Sequence, residues 1–86
     1  MQFLFSKQFQ KQYKKLTKKT QNQFKERILI FTENPYNPIL NNHKLSGEYS
    51  EYRSINISGD LRLVYTMQST DLCQLVAIGS HSELYE

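Results

Sequence analysis

The chain is 86 residues long, 38% hydrophobic and 13% aromatic, with a formal charge of +3 at neutral pH, enough for one domain with a modest core. Its single cysteine, Cys73, excludes an internal disulfide, fits a reducing compartment, and reads as a packed thiol because it sits inside an apolar run. The opening Met-Gln-Phe-Leu-Phe is too short for a secretory leader and no stretch reaches membrane-spanning length, so the expectation is a soluble cytoplasmic protein.

The charge is unevenly spread. Through Phe31 the chain carries seven lysines and Arg27 against Glu26 alone, whereas from Thr32 onward Lys44, Arg53 and Arg62 face seven carboxylates. A basic first third suits a polyanion such as RNA, and it equally suits a solvated helix face.

Gln2 to Phe5 reads as a short strand, followed by Ser6 as a helix N-cap. Phe9, Tyr13 and Leu16 then recur at helical spacing, with Lys11, Lys14, Lys15 and Lys18 largely off that stripe; this predicts an amphipathic helix with an aromatic core face. Thr20 and Gln23 form a capping-box pattern that opens a second helix, with Phe24, Ile28 and Phe31 as its buried stripe and Leu29 and Ile30 widening it. Asn34-Pro35 stops it, and the two helices should form an antiparallel hairpin.

The segment from Pro35 to Asn42 is a loop by composition. Strands follow over Glu51–Ile57, Leu61–Met67 and Leu72–Ile78, with turns at Ser58-Gly59-Asp60 and Gln68–Asp71 and a bend at Gly79. The order β-α-α-β-β-β predicts an α+β fold: a helical hairpin packed on one face of a mostly antiparallel four-stranded sheet, spanning residues 1–86 as a single domain. The opposite face is left at least partly open, and a site can sit there.

Two histidines and one cysteine at wide spacing make a poor metal set, and the three glycines are isolated turn residues rather than a phosphate-cradling loop. What remains is a set of polar residues at strand ends. In a meander, the turn bearing Asp60 and the end of the last strand lie at the same end of the sheet, so Asp60 and His81 should be neighbours. A metal-independent ribonuclease needs a base for the ribose 2′-OH, an acid for the departing 5′ oxygen and cations for the crowded phosphate. His81 with Asp60 or His43 could supply the base and acid, Arg53 and Arg62 the charge, and Tyr85 a stacking ring or a hydroxyl. The plain alternative is structural: solvated loop histidines, a turn aspartate, surface arginines and a tail that merely finishes the fold.

The run from His43 to Arg53, then Arg62-Leu-Val-Tyr65, then Ile78-Gly-Ser-His-Ser-Glu-Leu-Tyr85 resembles the RelE/ParE toxin superfamily, and within it the YafQ-like mRNA interferases. The specific part is His-x-Leu-x-Gly-x(5)-Arg joined to a terminal Gly-Ser-His-Ser-x-Leu-aromatic. The resemblance implies the toxin of a type II toxin–antitoxin pair, an endoribonuclease without cofactor or metal that cuts mRNA in the ribosomal A site by 2′-OH attack. By position, His43, Asp60 and His81 match catalytic residues and Tyr85 a terminal aromatic, while Lys44, Arg53, Asn56 and Arg62 form the set expected on RNA. The expected acid–base pair is His81 with Asp60, supported by His43, with the identity of the base open. The implied partners are a cognate antitoxin, the ribosome with its 16S rRNA, and mRNA.

The sequence departs from the family pattern at Asn56, where a histidine is usual, with Ser54 two positions earlier, and at Gly59, where proline is common. Asn56 can hydrogen-bond a phosphate oxygen but relays no proton at neutral pH, which bears on rate rather than mechanism. Two alternatives remain: a ParE-like inhibitor of DNA gyrase without nuclease activity, against which the paired histidines count, and a catalytically weakened homologue that only binds antitoxin.

Overall fold

A computed structural model describes residues 1–85, the side chain of Tyr85 excepted. Eight elements follow one another: β1 (Gln2–Phe5), α1 (Lys7–Lys14), α2 (Lys18–Glu33), β2 (His43–Lys44), β3 (Arg53–Ser58), β4 (Leu61–Met67), β5 (Leu72–Ser80) and α3 (His81–Tyr85). The strands form one five-stranded sheet in the order β1-β5-β4-β3-β2. Only β1 pairs in parallel, with β5; the other neighbours are antiparallel.

The expected four-stranded sheet is therefore corrected to five strands and the element order extended by one strand and one helix. The extra strand, β2, is two residues long, too short for any alternation to show in sequence. The extra helix starts at His81, where a tail was expected, and Gly79 is a buried strand residue rather than a bend. A Cβ on Gly79 would meet the Glu83 and Leu84 side chains at 3.4 Å, so α3 packs against the end of β5 at this residue.

Alternation along the strands separates two faces. Ile55, Ile57, Leu63, Tyr65, Cys73, Leu75 and Ile78 point to the side covered by the helices, where they meet Phe9 of α1 and Phe24 and Phe31 of α2. Fully burying one such side chain contributes roughly 1.5–3 kcal/mol. Cys73 is completely buried, and burial pushes its thiol up to about 12, so it is inert packing. An irregularity at Val76 in β5 lets Leu75 and Ile78 both face the core.

The helix starts are set by hydroxyls. Ser6 caps α1 as expected, accepting from the Phe9 amide at 2.9 Å. The cap of α2 is Thr17 rather than Thr20: Thr17 accepts from the Thr20 amide, so the helix begins three residues earlier than expected. Leu29 does not widen the buried stripe; it is 67% exposed. The chain leaving β1 also protects the edge of β5, with the Ser6 hydroxyl donating to the Val76 carbonyl at 2.6 Å and Gln12 Oε1 accepting from the Ile78 amide at 2.9 Å. No helix among the described residues is long and apolar enough to cross a membrane.

Candidate active site

The face of the sheet away from α1 and α2 carries the polar residues. Register puts His43 opposite Ser54, Ser54 opposite Val64, and Asn56 opposite Arg62, all on this open side. Leu61 pairs with Ser80, so Asp60 and His81 each lie one residue beyond that pair, at the same end of the sheet. The expected convergence of these two segments follows from the hairpin geometry.

A cleft of about 420 Å³ opens here, lined by His43, Arg62 and His81 with Asn41, Leu45, Ser46, Tyr49 and Ser54. Two imidazoles and one guanidinium thus share one concavity. Asp60 is exposed in the turn at the rim rather than in the lining. Asn56 flanks Arg62 on the same face, and its Oδ1, like the Ser54 hydroxyl, is buried without a hydrogen-bond partner. Buried polar atoms left this way are costly, and of the two residues Ser54 lines the cleft.

His43 is oriented by its own loop. Asn41 adopts a left-handed backbone (φ 46°), which aims its carbonyl at the His43 ring; Nδ1 lies 2.9 Å from that oxygen. A carbonyl only accepts, so Nδ1 carries the hydrogen and the lone pair of the neutral ring sits on Nε2. Arg62 donates through one nitrogen to the Gly59 carbonyl at 2.9 Å. Among the described residues it has no carboxylate partner, so its charge stays available to an anion.

His81 is the first residue of α3. Ser80 Oγ accepts from the Glu83 amide at 3.2 Å and Glu83 Oε1 accepts from the Ser80 amide at 2.8 Å, a reciprocal capping box. Hydrogen bonds to the carboxyl from the Ser80 backbone, first, and from the Ser80 side chain hold Glu83 below its ordinary range. The pattern Ser80-x-x-Glu83 is visible in the sequence and was the missed signal for this helix.

Arg53 and Lys44 are not brought to the cleft. Arg53 shares its side of β3 with Ile55 and Ile57, and Lys44 is its cross-strand partner; both border a separate depression. Arg53 Nε donates to Asn42 Oδ1 at 2.8 Å, and its guanidinium lies 5.5 Å from the Tyr36 ring centre. Asn42 in turn donates to the Tyr65 hydroxyl at 2.6 Å and to the Pro35 carbonyl at 2.9 Å. Burial pushes the Tyr65 phenol up, while the Asn42 bond and the Arg53 charge pull it partly back. This network pins the loop that ends at His43. Asn42→Ala should lose about 2 kcal/mol in urea unfolding, because it removes three bonds whose net contributions are about 1 kcal/mol each and lets water replace some of them. The side chain of Tyr85, expected near the site, lies outside the described residues.

A family model described as a bacterial toxin of type II toxin–antitoxin system, YafQ, matches residues 1–86. The crystal structure of YafQ from E. coli strain BL21(DE3) has the same fold, with a TM-score of 0.83 at 23% identity over 98% of this chain and 97% of that one. The E. coli DinJ–YafQ toxin–antitoxin complex is similar at a TM-score of 0.79 and 25% identity, over 98% of this chain and 96% of that one. A metal-bound toxin from Helicobacter pylori is 31% identical, with a TM-score of 0.74 over 99% of both chains. Among the described residues here, no three His, Cys, Asp or Glu side chains gather to hold a metal ion. No curated protein sequence matches the chain.

Proposed function

The chain belongs to the YafQ family of bacterial toxins of type II toxin–antitoxin systems, and from that membership we propose an endoribonuclease that cuts mRNA on the ribosome and so arrests translation. The observation that carries this reading is one open-face cleft that brings two imidazoles and a guanidinium together. Such a set suits transesterification of a phosphodiester, which needs one group to take a proton, one to give a proton, and a cation on the phosphate.

His43 is the proposed base, because its Nδ1 hydrogen is committed to Asn41 and Nε2 is left to accept. It takes the proton of the ribose 2′-OH, and that oxygen attacks the adjacent phosphorus. The bond from phosphorus to the 5′ oxygen breaks, and protonated His81 gives its proton to the departing oxygen. The products are a 2′,3′-cyclic phosphate and a 5′-OH. Arg62 holds the non-bridging oxygens as charge builds, with Asn56 beside it. Asp60 stands at the rim of the same end as a supporting carboxylate, and Tyr85 is the terminal aromatic expected near the RNA. Arg53 acts through Asn42 on the His43 loop rather than on phosphate.

The proposed partners are a cognate antitoxin, as in the E. coli DinJ–YafQ complex, and the ribosome with its mRNA. Exposed Lys11, Lys14, Lys15 and Lys18 give the helical side a charge suited to ribosomal RNA or to an acidic antitoxin segment. Primer extension on translated mRNA is the test. Cuts within the A-site codon, present only with ribosomes, support the reading; growth arrest with intact mRNA and inhibited gyrase supercoiling would replace it with the ParE-like one.

A further inference from the structure

A cleft built of two imidazoles and a guanidinium can handle a phosphodiester, but none of these groups offers a broad apolar plane for a base. Unpaired bases are held mainly by stacking on aromatic rings. We propose that Tyr49 is the base-stacking wall of this cleft, on which a base next to the scissile phosphate lies flat. The inference deepens the ribonuclease reading and rests on it.

Tyr49 lines the cleft together with His43, Arg62 and His81 and is 39% exposed. Among the described side chains, the other notably exposed aromatic rings are elsewhere: Tyr36 lies by Arg53, and Phe5 stacks on Phe9 on the helix side. Tyr49 is also held still. Gly47 takes φ 65°, a left-handed turn that a side chain would strain, and starts a single helical turn over Gly47–Tyr49. Four backbone bonds close the loop: Tyr49 to Ser46, Ser50 to Gly47, Tyr52 to Tyr49, and Leu45 to Tyr52, the last at 3.1 Å. A wall fixed before binding loses little freedom when a base arrives.

The ring is braced as well. The Tyr52 ring lies 6.4 Å away at 40°. Both tyrosines border a small cavity of about 100 Å³ lined also by Gln8, Val64, Val76, Ala77 and Leu84. The cleft itself falls within the few hundred cubic ångströms usual for small-ligand sites. Stacking uses the face that all bases share, so Tyr49 supplies affinity and orientation with little choice of sequence.

The test is equilibrium binding of a short RNA, made uncleavable by 2′-deoxy substitution at the scissile position, followed by anisotropy and by NMR of the tyrosine ring protons. Wild type should bind with the Tyr49 ring protons moved upfield by the overlying base. Tyr49→Leu should weaken binding about tenfold, within the range found for removing one stacking ring, whereas Tyr49→Phe and Tyr49→Trp should bind like wild type. Equal binding by Tyr49→Leu and wild type overturns the inference. So does a loss in Tyr49→Phe as large as in Tyr49→Leu, which would assign the effect to the hydroxyl. Absence of binding by wild type overturns it too, while the ribosomal cleavage map judges the nuclease reading independently.

Discussion

Replacing His43 or His81 with glutamine lowers the rate of mRNA cleavage by about 10²- to 10⁴-fold, the usual contribution of one general acid or base. Glutamine keeps the length and hydrogen-bonding capacity of histidine but cannot exchange a proton near neutral pH. His43→Gln can still donate to the Asn41 carbonyl, so the loop keeps its shape and what is lost is the basic nitrogen Nε2. His81 is exposed at the start of α3 and takes no part in the two Ser80–Glu83 bonds that cap this helix. Single-turnover cleavage on programmed ribosomes gives the rates, and thermal melting gives the control. Both variants should melt near wild type. A large drop in melting temperature would instead assign the histidines to the fold.

Phe31→Ala has the largest expected effect on stability, a loss of about 3–5 kcal/mol in urea unfolding. The ring is 1% exposed and meets Tyr65 edge-on, with centroids 4.8 Å apart and planes at 75°. It is the point where α2 presses on the middle of the sheet, and Tyr65 also anchors Asn42 beneath the His43 loop. Removing it leaves a cavity in a domain whose whole stability is typically about 5–15 kcal/mol. Phe31→Leu, which fills most of the space, should cost less than half as much. An alanine variant as stable as wild type would show that the helix and sheet do not pack through this residue.

Much of the architecture was legible. Ser6 announced its helix, and Leu61–Met67 alternates so regularly that the strand runs between the expected ends. Hairpin geometry alone brought Asp60 and His81 to one end of the sheet, as the Leu61–Ser80 pair shows. Thr17 and Thr20 both suit a cap, and composition does not choose between them; tertiary contact of Gln21 with the Tyr13 carbonyl favours the earlier start. Leu29 is apolar at a helical position facing solvent, which no periodic stripe excludes.

The faces of the site were only partly readable. Arg53, Ile55 and Ile57 share parity, so the sequence already contained the sign that Arg53 points to the helix side. Whether the basic residue or the apolar ones governed that face depended on the register of β2 and β3, which two residues of strand do not announce. Tyr49 and Ser46 reach the cleft through an eight-residue connection folded by its own backbone bonds, and no spacing rule encodes that.

The chemistry of the cut ends tests the central claim most directly. Wild-type protein is incubated with ribosomes translating an end-labelled message, and the fragments are assayed for their termini. Cleavage by 2′-OH attack predicts a 5′-OH on the downstream fragment and a 2′,3′-cyclic phosphate on the upstream one, both lost with His43→Gln and His81→Gln. A 5′-phosphate on the downstream fragment would contradict it.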